Sequence, residues 1–274
     1  MASNIRVFSL NAWGGRCGQE LLSFLEMACA NEQIDVLCFQ EVFNSIGLSE
    51  ETVEMDSDGY TVNLTLFSEL CDLLVDFRGF FVPFAEGYLN DSDRSQNLSQ
   101  YGTAVFVHAR LEILSHGHVF IHGKNVRTED GAPPLPRVLQ HLELSLGGTK
   151  SFILANVHGL WQPNQKRPSA ERRKQATAIL RCLERKEWAE KSMVLVGDFN
   201  LRENDPLFST LIQIGFSHLI EVHSIGSTRS KLYGGDLRCG NYALCRNVKH
   251  SHLHVLTPEP EVSDHLPLIL EAVL

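Results

Sequence analysis

Short apolar runs of five to nine residues recur from one end of the chain to the other, and nothing else in the sequence constrains the fold as much. They are IRVFSL (5–10), VLCFQ (36–40), TAVFVHA (103–109), VLQHLELSL (138–146), SFILANV (151–157), MVLVG (193–197), NYALC (241–245) and LPLILEAVL (266–274). Their length and β-branched content read as strands. Between the first two, GQELLSFLEMACANEQ (18–33) sets Leu21, Leu22, Leu25, Met27 and Ala28 at roughly helical spacing. A second helix is expected to start at Pro168 and Ser169. Its Ala176, Ile179, Leu180 and Leu183 form one stripe opposite Arg172, Arg173, Lys174, Arg181 and Arg185, a basic face read as solvated. Two more helices are expected in LTLFSELCDLLVDF (64–77) and in NDPLFSTLIQIGF (204–216), the latter started by Asp205 and Pro206. The polar segments 44–61, 87–100, 122–136 and 223–240 read as loops, and no linker or repeat divides the chain. Strands alternating with helices predict one α/β domain over residues 1–274.

A chain of 274 residues that is 43% hydrophobic and 21% charged can build a proper core, which excludes disorder, collagen and coiled coil as overall descriptions. The 33 acidic residues outnumber the 24 Lys and Arg, for a formal net charge of -9. No global positive field gathers polyanions, so a phosphorylated substrate must be handled locally. The seven cysteines show no CxxC pair and no zinc spacing, and read as reduced thiols of a cytoplasmic protein, with Cys29 and Cys38 as small buried hydrophobes. The N-terminus MASNIRVFSLNAW lacks a secretory pattern, and no apolar run nears the roughly 18 residues of a membrane span. The expected product is unexported and without stable membrane insertion.

Five strands end in a residue that a packed core would not choose: Asn11, Glu41, His158, Asp198 with Asn200, and Asp264-His265. Each has a structural explanation of its own. Asn11 suits a turn, Glu41 a cap for a helix beginning near Val42, Asp198-Phe199-Asn200 an Asx turn, and His158 a satisfied strand-end histidine. Ionised carboxylates beside buried strands are costly unless paired or cation-bound, and five such exits suggest one shared pocket. The chain has no G-x-S-x-G, no activated cysteine and no P-loop. Acids, amides and histidines remain, and that kit suits a hard cation such as Mg²⁺ or Mn²⁺ and a phosphoester substrate.

The segments SLNAW (9–13), FQEV (39–42), YGTAVF (101–106), NVHG (156–159), VGDFN (196–200) and VSDHLPL (262–268) span almost the entire chain. In this order they resemble the endonuclease/exonuclease/phosphatase superfamily, the deoxyribonuclease-I-like fold. The resemblance implies an α/β (α+β) four-layer sandwich, two packed mixed β-sheets flanked by helices, and metal-dependent phosphoester hydrolysis with Mg²⁺, for which Mn²⁺ can substitute. It implies Glu41 as principal metal ligand, Asn11 beside it and Asp264 as a further carboxylate at the metal. Asp198 would orient or deprotonate the attacking water, Asn200 would hold phosphate or water, and His158 and His265 would flank the scissile phosphate. Arg137 is similar to an arginine that contacts phosphate in some members.

Two departures qualify the resemblance. Most members carry an Asp-Tyr pair on the strand before the final motif, and here it reads Asn241-Tyr242. An amide orients an imidazole without holding up its pKa, so either His265 is a weaker base or Asp236 supplies the charge. Tyr101 sits one position from the catalytic tyrosine of repair nucleases, and His158 stands where those enzymes use Asn, which points to the general nuclease, sphingomyelinase-like and phosphatase branches. His250, His252 and His254 alternate on one strand face, as a solvent-facing row or a second metal site. The expected activity is a phosphodiesterase or nuclease acting by water attack on phosphorus, on nucleic acid or a nucleotide. A phosphomonoesterase, a phospholipid phosphoesterase and a non-catalytic scaffold are the alternatives, and no obligate protein partner is evident. Specificity is expected in the four loops.

Overall fold

Strand Asn4–Asn11 is buried on both faces: Ile5 and Val7 join one apolar cluster, Phe8 and Leu10 another. A sheet built from such strands must be covered twice, once by a second sheet and once by helices. This computed structural model describes residues 4–46, 53–55, 61–87, 98–124, 126–128, 135–162 and 169–274. Its first sheet runs, in spatial order, His250–Val255, Leu268–Val273, Asn4–Asn11, Val36–Ile46, Leu98–His108, Phe77–Gly87 and Val126–Thr128. The second runs Ser217–His218, Asn241–Arg246, Ser192–Asp198, Ser151–His158, Arg137–Ser145 and Ile113–His122. Each is mixed, with a parallel pair near its middle: Asn4–Asn11 beside Val36–Ile46, and Ser151–His158 beside Ser192–Asp198. A small third sheet pairs Val53–Met55 with Thr61–Asn63.

The two large sheets pack face to face, and helices close the outer sides, which makes the four layers expected above. Leu21, Phe24, Leu25, Leu66 and Leu70, from helices Gly18–Glu32 and Leu66–Leu73, cover Phe8, Leu37, Phe39 and Phe106 of the first sheet. Helices Ala170–Leu183, Pro206–Gln213 and Leu219–Val222 pack on the second through Ile179, Leu183, Leu207, Phe208 and Ile220. Between the sheets, below the site described next, buried amides replace hydrocarbon. Gln40 Nε2 donates to Asn156 Oδ1 at 2.7 Å, and Thr103 Oγ1 to Gln140 Oε1 at 3.1 Å. These bonds cross the interface and help fix how one sheet sits on the other, although Gln40 Oε1 is buried without a partner.

Several expectations need correction. The helix sought over 64–77 is Leu66–Leu73 only, and from Phe77 the chain is a strand that the sequence did not suggest because Pro83 and two glycines interrupt it. Ile113–His122 likewise gives no strand signal in the sequence: it is an edge strand with a single buried residue, so its apolar alternation is weak. Residues 126–128 pair as a short strand inside a segment read as loop, and 44–46 and 98–100 extend strands beyond their expected ends. Met27 is 55% exposed, and Phe24 takes its place against the sheet. The basic helix face is not all solvated, because Arg172 is buried and donates from Nη1 to the Asn200 carbonyl at 2.9 Å. Ser169 caps that helix as expected, accepting from Arg172 N, and Asp205 caps the helix at Pro206. Pro168 lies outside the described residues. Cys38 is buried, while Cys29 is only half-buried.

Candidate active site

Both parallel pairs deliver their C-terminal ends to one place. In the second sheet, register alone does this. His158 lies opposite Asp198, and Asp198 opposite Asn241, so the three side chains share one face in one row. In the first sheet Asn11 points the same way as Ile5 and Val7, into the space between the sheets. Strict alternation would send Glu41 to the helix side, since Gln40 points inward. A bulge between Gln40 and Val42 prevents it: Glu41 adopts φ 56°, Val42 resumes the outward face, and the extra residue delivers its carboxylate to the site. The helix cap expected at Glu41 is absent, because the strand continues to Ile46.

Asn11 joins the two sheets. Its Nδ2 donates to Glu41 Oε1 and to Asp198 Oδ2, each at 3.0 Å, while its Oδ1 accepts from Trp13 N at 2.9 Å. Asp198 does form an Asx turn, its Oδ1 accepting from Asn200 N at 2.8 Å, and Asn200 Nδ2 donates to the Gly159 carbonyl at 3.1 Å. A Cβ at Gly159 would lie 2.1 Å from the Phe199 carbonyl oxygen, so only glycine lets these two strand ends approach. His265 Nδ1 lies 2.6 Å from Asn241 Oδ1, and its Nε2 is 3.6 Å from Asp198 Oδ2 and 3.8 Å from Asp264 Oδ1. The loop carrying Asp264 and His265 is pinned by Ser263 Oγ, which donates to the Asn11 carbonyl at 2.7 Å and accepts from His265 N at 3.1 Å. Trp13, Glu41 and Asn200 all hold positive φ, a concentration of backbone strain found where geometry serves a site rather than stability.

The electrostatics follow from burial. Burial pushes the Asp198 carboxyl up to about 6, against the opposing pull of Arg229 and the Asn200 N–H, with Glu41 adding to the rise. Asp264 is pushed up to about 7, again mainly by burial, with Arg229 opposing and Glu41 and Asp198 adding. Burial, then Arg137, holds His158 well below the ordinary histidine range, and burial, then Arg229, does the same for His265. Both His158 nitrogens are buried without a hydrogen-bond partner, and Nε2 lies 3.6 Å from Glu41 Oε1. Among the described residues, Glu41, His158 and Asp198 are the group whose ligand atoms all lie within 4.8 Å of one another. Crowded carboxylates beside an orphaned imidazole fit a hard divalent cation, which would reverse both carboxylate shifts.

The expected residues thus meet: Asn11, Glu41, His158, Asp198, Asn200, Asn241, Asp264 and His265 lie around one cleft of about 310 Å³. Arg137 also lines it, its Nε and Nη1 donating to the Gly159 and Pro136 carbonyls at 2.9 Å. Asp236 does not belong to it. That side chain is 62% exposed, pairs with Arg202 at 3.8 Å and lines a separate cleft, and the group behind the His265 ring is the Asn241 amide. His250, His252 and His254 are exposed on an edge strand. The His252 ring packs edge-on against His254 at 4.3 Å and His223 at 4.7 Å, and among the described residues no convergent set of ligand atoms includes them.

Sequence reasoning passed over several cleft residues. Trp13, Trp161 and Tyr233 supply aromatic faces, and Arg16 and Arg229 supply charge. Tyr101, which the sequence singled out without a role, hydrogen-bonds Glu41, is stacked on Phe43 at 4.6 Å and meets Phe84 edge-on at 5.0 Å. Its place at the head of the YGTAVF segment was the available signal. Arg229 gave none, because it lies in a polar loop with no apolar strand beside it.

Residues 5–265 match the family model described as Endonuclease/Exonuclease/phosphatase family. No curated protein matches the chain. Among solved structures, an endonuclease/exonuclease/phosphatase family protein of Leptotrichia buccalis is similar with a TM-score of 0.69 and 17% identity, covering 98% of this chain and 99% of that one. A mannosyl-6-phosphatase of Bacteroides thetaiotaomicron is similar with a TM-score of 0.65 and 16% identity over 98% and 100% of the two chains. D. rerio TDP2 complexed with single strand DNA product is similar with a TM-score of 0.64 and 16% identity over 98% and 99%. At these identities the likeness is one of fold. No described helix is long and apolar enough to cross a membrane.

Proposed function

The chain belongs to the endonuclease/exonuclease/phosphatase family, and from that premise we propose that it is a divalent-metal-dependent phosphodiesterase acting by single-step attack of water on phosphorus. The observation that carries this reading is the Asn11 amide, which holds Glu41 of one sheet and Asp198 of the other at 3.0 Å each, beside His158 and His265. Glu41 and Asp264 would hold Mg²⁺, with Mn²⁺ as a substitute, and Asn11 beside them would brace the Glu41 carboxylate. When bound, the ion supplies charge neutralisation at the phosphoryl and leaving oxygens.

The chain's own residues do the rest. Asp198, gripped at both oxygens by Asn11 and Asn200, orients the water and takes its proton. Those grips run from Asn11 Nδ2 to Oδ2 and from the Asn200 N–H to Oδ1, and they fix the carboxylate for proton transfer. His158 and His265 flank the phosphoryl group, His265 held in register by Asn241. Arg137, which lines the cleft, would contact the phosphate, and Asn200 braces the turn against Gly159. Trp13, Trp161 and Tyr233 give the mouth planar faces, which favour a nucleotide or nucleic acid over a phospholipid. We place the reaction in the cytoplasm on the strength of seven free cysteines, and treat residues 1–274 as one catalytic domain without an obligate partner. A second reading, a phosphomonoesterase, has its own support in the three arginines of one cleft, since a monoester carries the additional charge.

The test is a substrate panel: plasmid DNA, single-stranded RNA, a dinucleotide, sphingomyelin, bis-p-nitrophenyl phosphate and p-nitrophenyl phosphate, with Mg²⁺, Mn²⁺ or chelator. Chelation should abolish turnover, and the nucleic-acid and diester substrates should outrun the monoester. A faster monoester would install the second reading. A folded, metal-loaded protein that turned over nothing in the panel would leave a scaffold.

A further inference from the structure

Arg229 enters the site from the 223–240 segment, tied there by an isolated backbone bridge to His265. Its side chain is only 7% exposed, and the guanidinium lies 4.0 Å over the Tyr233 ring. Nη1 is 3.2 Å from Asp264 Oδ2 and also contacts His265 Nε2. Gly240 makes the seat: a Cβ there would fall 2.6 Å from Arg229 Nη2 and 3.0 Å from His265 Cε1.

A guanidinium has five N–H donors and no acceptor. His265 Nε2 must therefore be the accepting nitrogen, which leaves the proton on Nδ1, where Asn241 Oδ1 accepts it at 2.6 Å. The imidazole is thus capped on both sides as a neutral ring, by an amide behind and a cation in front. Among the described residues every side-chain bond of Arg229 leaves from Nη1, while Nε is buried with no partner at all. A buried fork with unspent donors lacks an acceptor, and the cleft it lines is sized for one.

We propose that Arg229 is the cation that grips the non-bridging oxygens of the scissile phosphoryl group, in the role a charged histidine would otherwise fill, with Gly240 kept bare to seat it. This rests on the phosphoesterase reading. It also accounts for Asn241: with a fixed positive charge in front of His265, no negative charge behind the ring is required.

The experiment uses the full chain with Mg²⁺ and two readouts, turnover of bis-p-nitrophenyl phosphate and calorimetric binding of inorganic phosphate. Arg229→Gln should lower kcat about 100-fold and weaken phosphate about tenfold. Gly240→Ala, which displaces the fork, should weaken phosphate in the same direction. Millimolar guanidinium should restore part of the activity of Arg229→Ala and none of that of Asp198→Ala, a rescue that a purely structural role would not give. Turnover and phosphate affinity of Arg229→Gln within about twofold of the parent would overturn the proposal, as would a folded Arg229→Ala indifferent to guanidinium. Should the alanine variant not fold, Arg229→Lys keeps the charge without the fork, and parental activity in it would also overturn the idea. If the parent hydrolyses no phosphoester, the phosphoesterase reading fails, and the phosphate calorimetry still decides whether Arg229 binds the anion.

Discussion

The two central parallel strand pairs, one in each large sheet, reach the site by different means. In the second sheet His158, Asp198 and Asn241 are register partners, so correct pairing of three strands is enough to align them. In the first, correct pairing would bury Glu41 on the wrong face, and the chain inserts a bulge with a left-handed residue to bring it round. The lesson is that half of this site is an ordinary product of sheet formation, while the other half is a local defect retained against backbone preference. The regular half tolerates no added volume at Gly159, and the irregular half carries the bulge, while positive φ occurs in both, at Trp13 and Glu41 on one side and at Asn200 on the other.

Four measurements would break or sharpen that contrast. The largest effect belongs to Asp198→Ala, which should lower kcat about 1,000-fold with the far-ultraviolet spectrum unchanged; near-parental turnover in the folded variant would remove Asp198 from the mechanism. Next, Gly159→Ala drives a Cβ to 2.1 Å from the Phe199 carbonyl oxygen. It should cost about 3 kcal/mol in urea unfolding, and a loss below about 1 kcal/mol would mean that the strand ends are not held as tightly as described.

The third concerns charge. Asp198 and Asp264 titrate in the folded chain near 6 and 7, above the unfolded carboxylate, so across roughly pH 4 to 7 the folded state keeps protons that the unfolded state has released. Their contribution to stability therefore falls as pH rises. His158 and His265, held neutral by burial, act in the opposite sense, since the unfolded chain binds protons below the ordinary histidine value and stability is lost as pH drops. Comparing the parent with Asp264→Asn isolates the carboxylate. Without metal the variant should gain on the parent between pH 4.5 and 7.5, by on the order of 2 kcal/mol, and added Mg²⁺ should narrow the gap. A gap independent of pH would discard the crowding argument. The smallest effect is Asn241→Asp, which restores a charge behind His265. It should shift the acid limb of the pH–rate profile while changing kcat by less than about tenfold; an unmoved limb would show that Asn241 is not coupled to the imidazole.

How much of this was legible varied by residue. Asp198, His158 and Asp264-His265 stood at the ends of apolar runs, where alternation makes an ionisable side chain conspicuous, and the structure brings them to one cleft. Strands Phe77–Gly87 and Ile113–His122 were not legible, the first because Pro83 sits at a break in register and the second because a one-sided edge strand has little hydropathy signal. Arg229 could not have been found at all. Its place depends on a bridge to His265 across a separation of 36 residues, and no local pattern encodes such a contact.

Taken alone, the amino-acid order determined an α/β domain of alternating strands and helices and the kinds of side chain that would crowd its strand ends, while the four layers were implied by the resemblance of its motifs to a family. Periodicity and apolar content are local properties, and they suffice for that much. Tertiary structure decided which of those side chains touch: that one amide bridges two sheets, that a bulge turns Glu41 inward, and that an arginine caps the last histidine. Those outcomes depend on distances between segments far apart in the chain, and such distances come into being only when the two sheets close on each other.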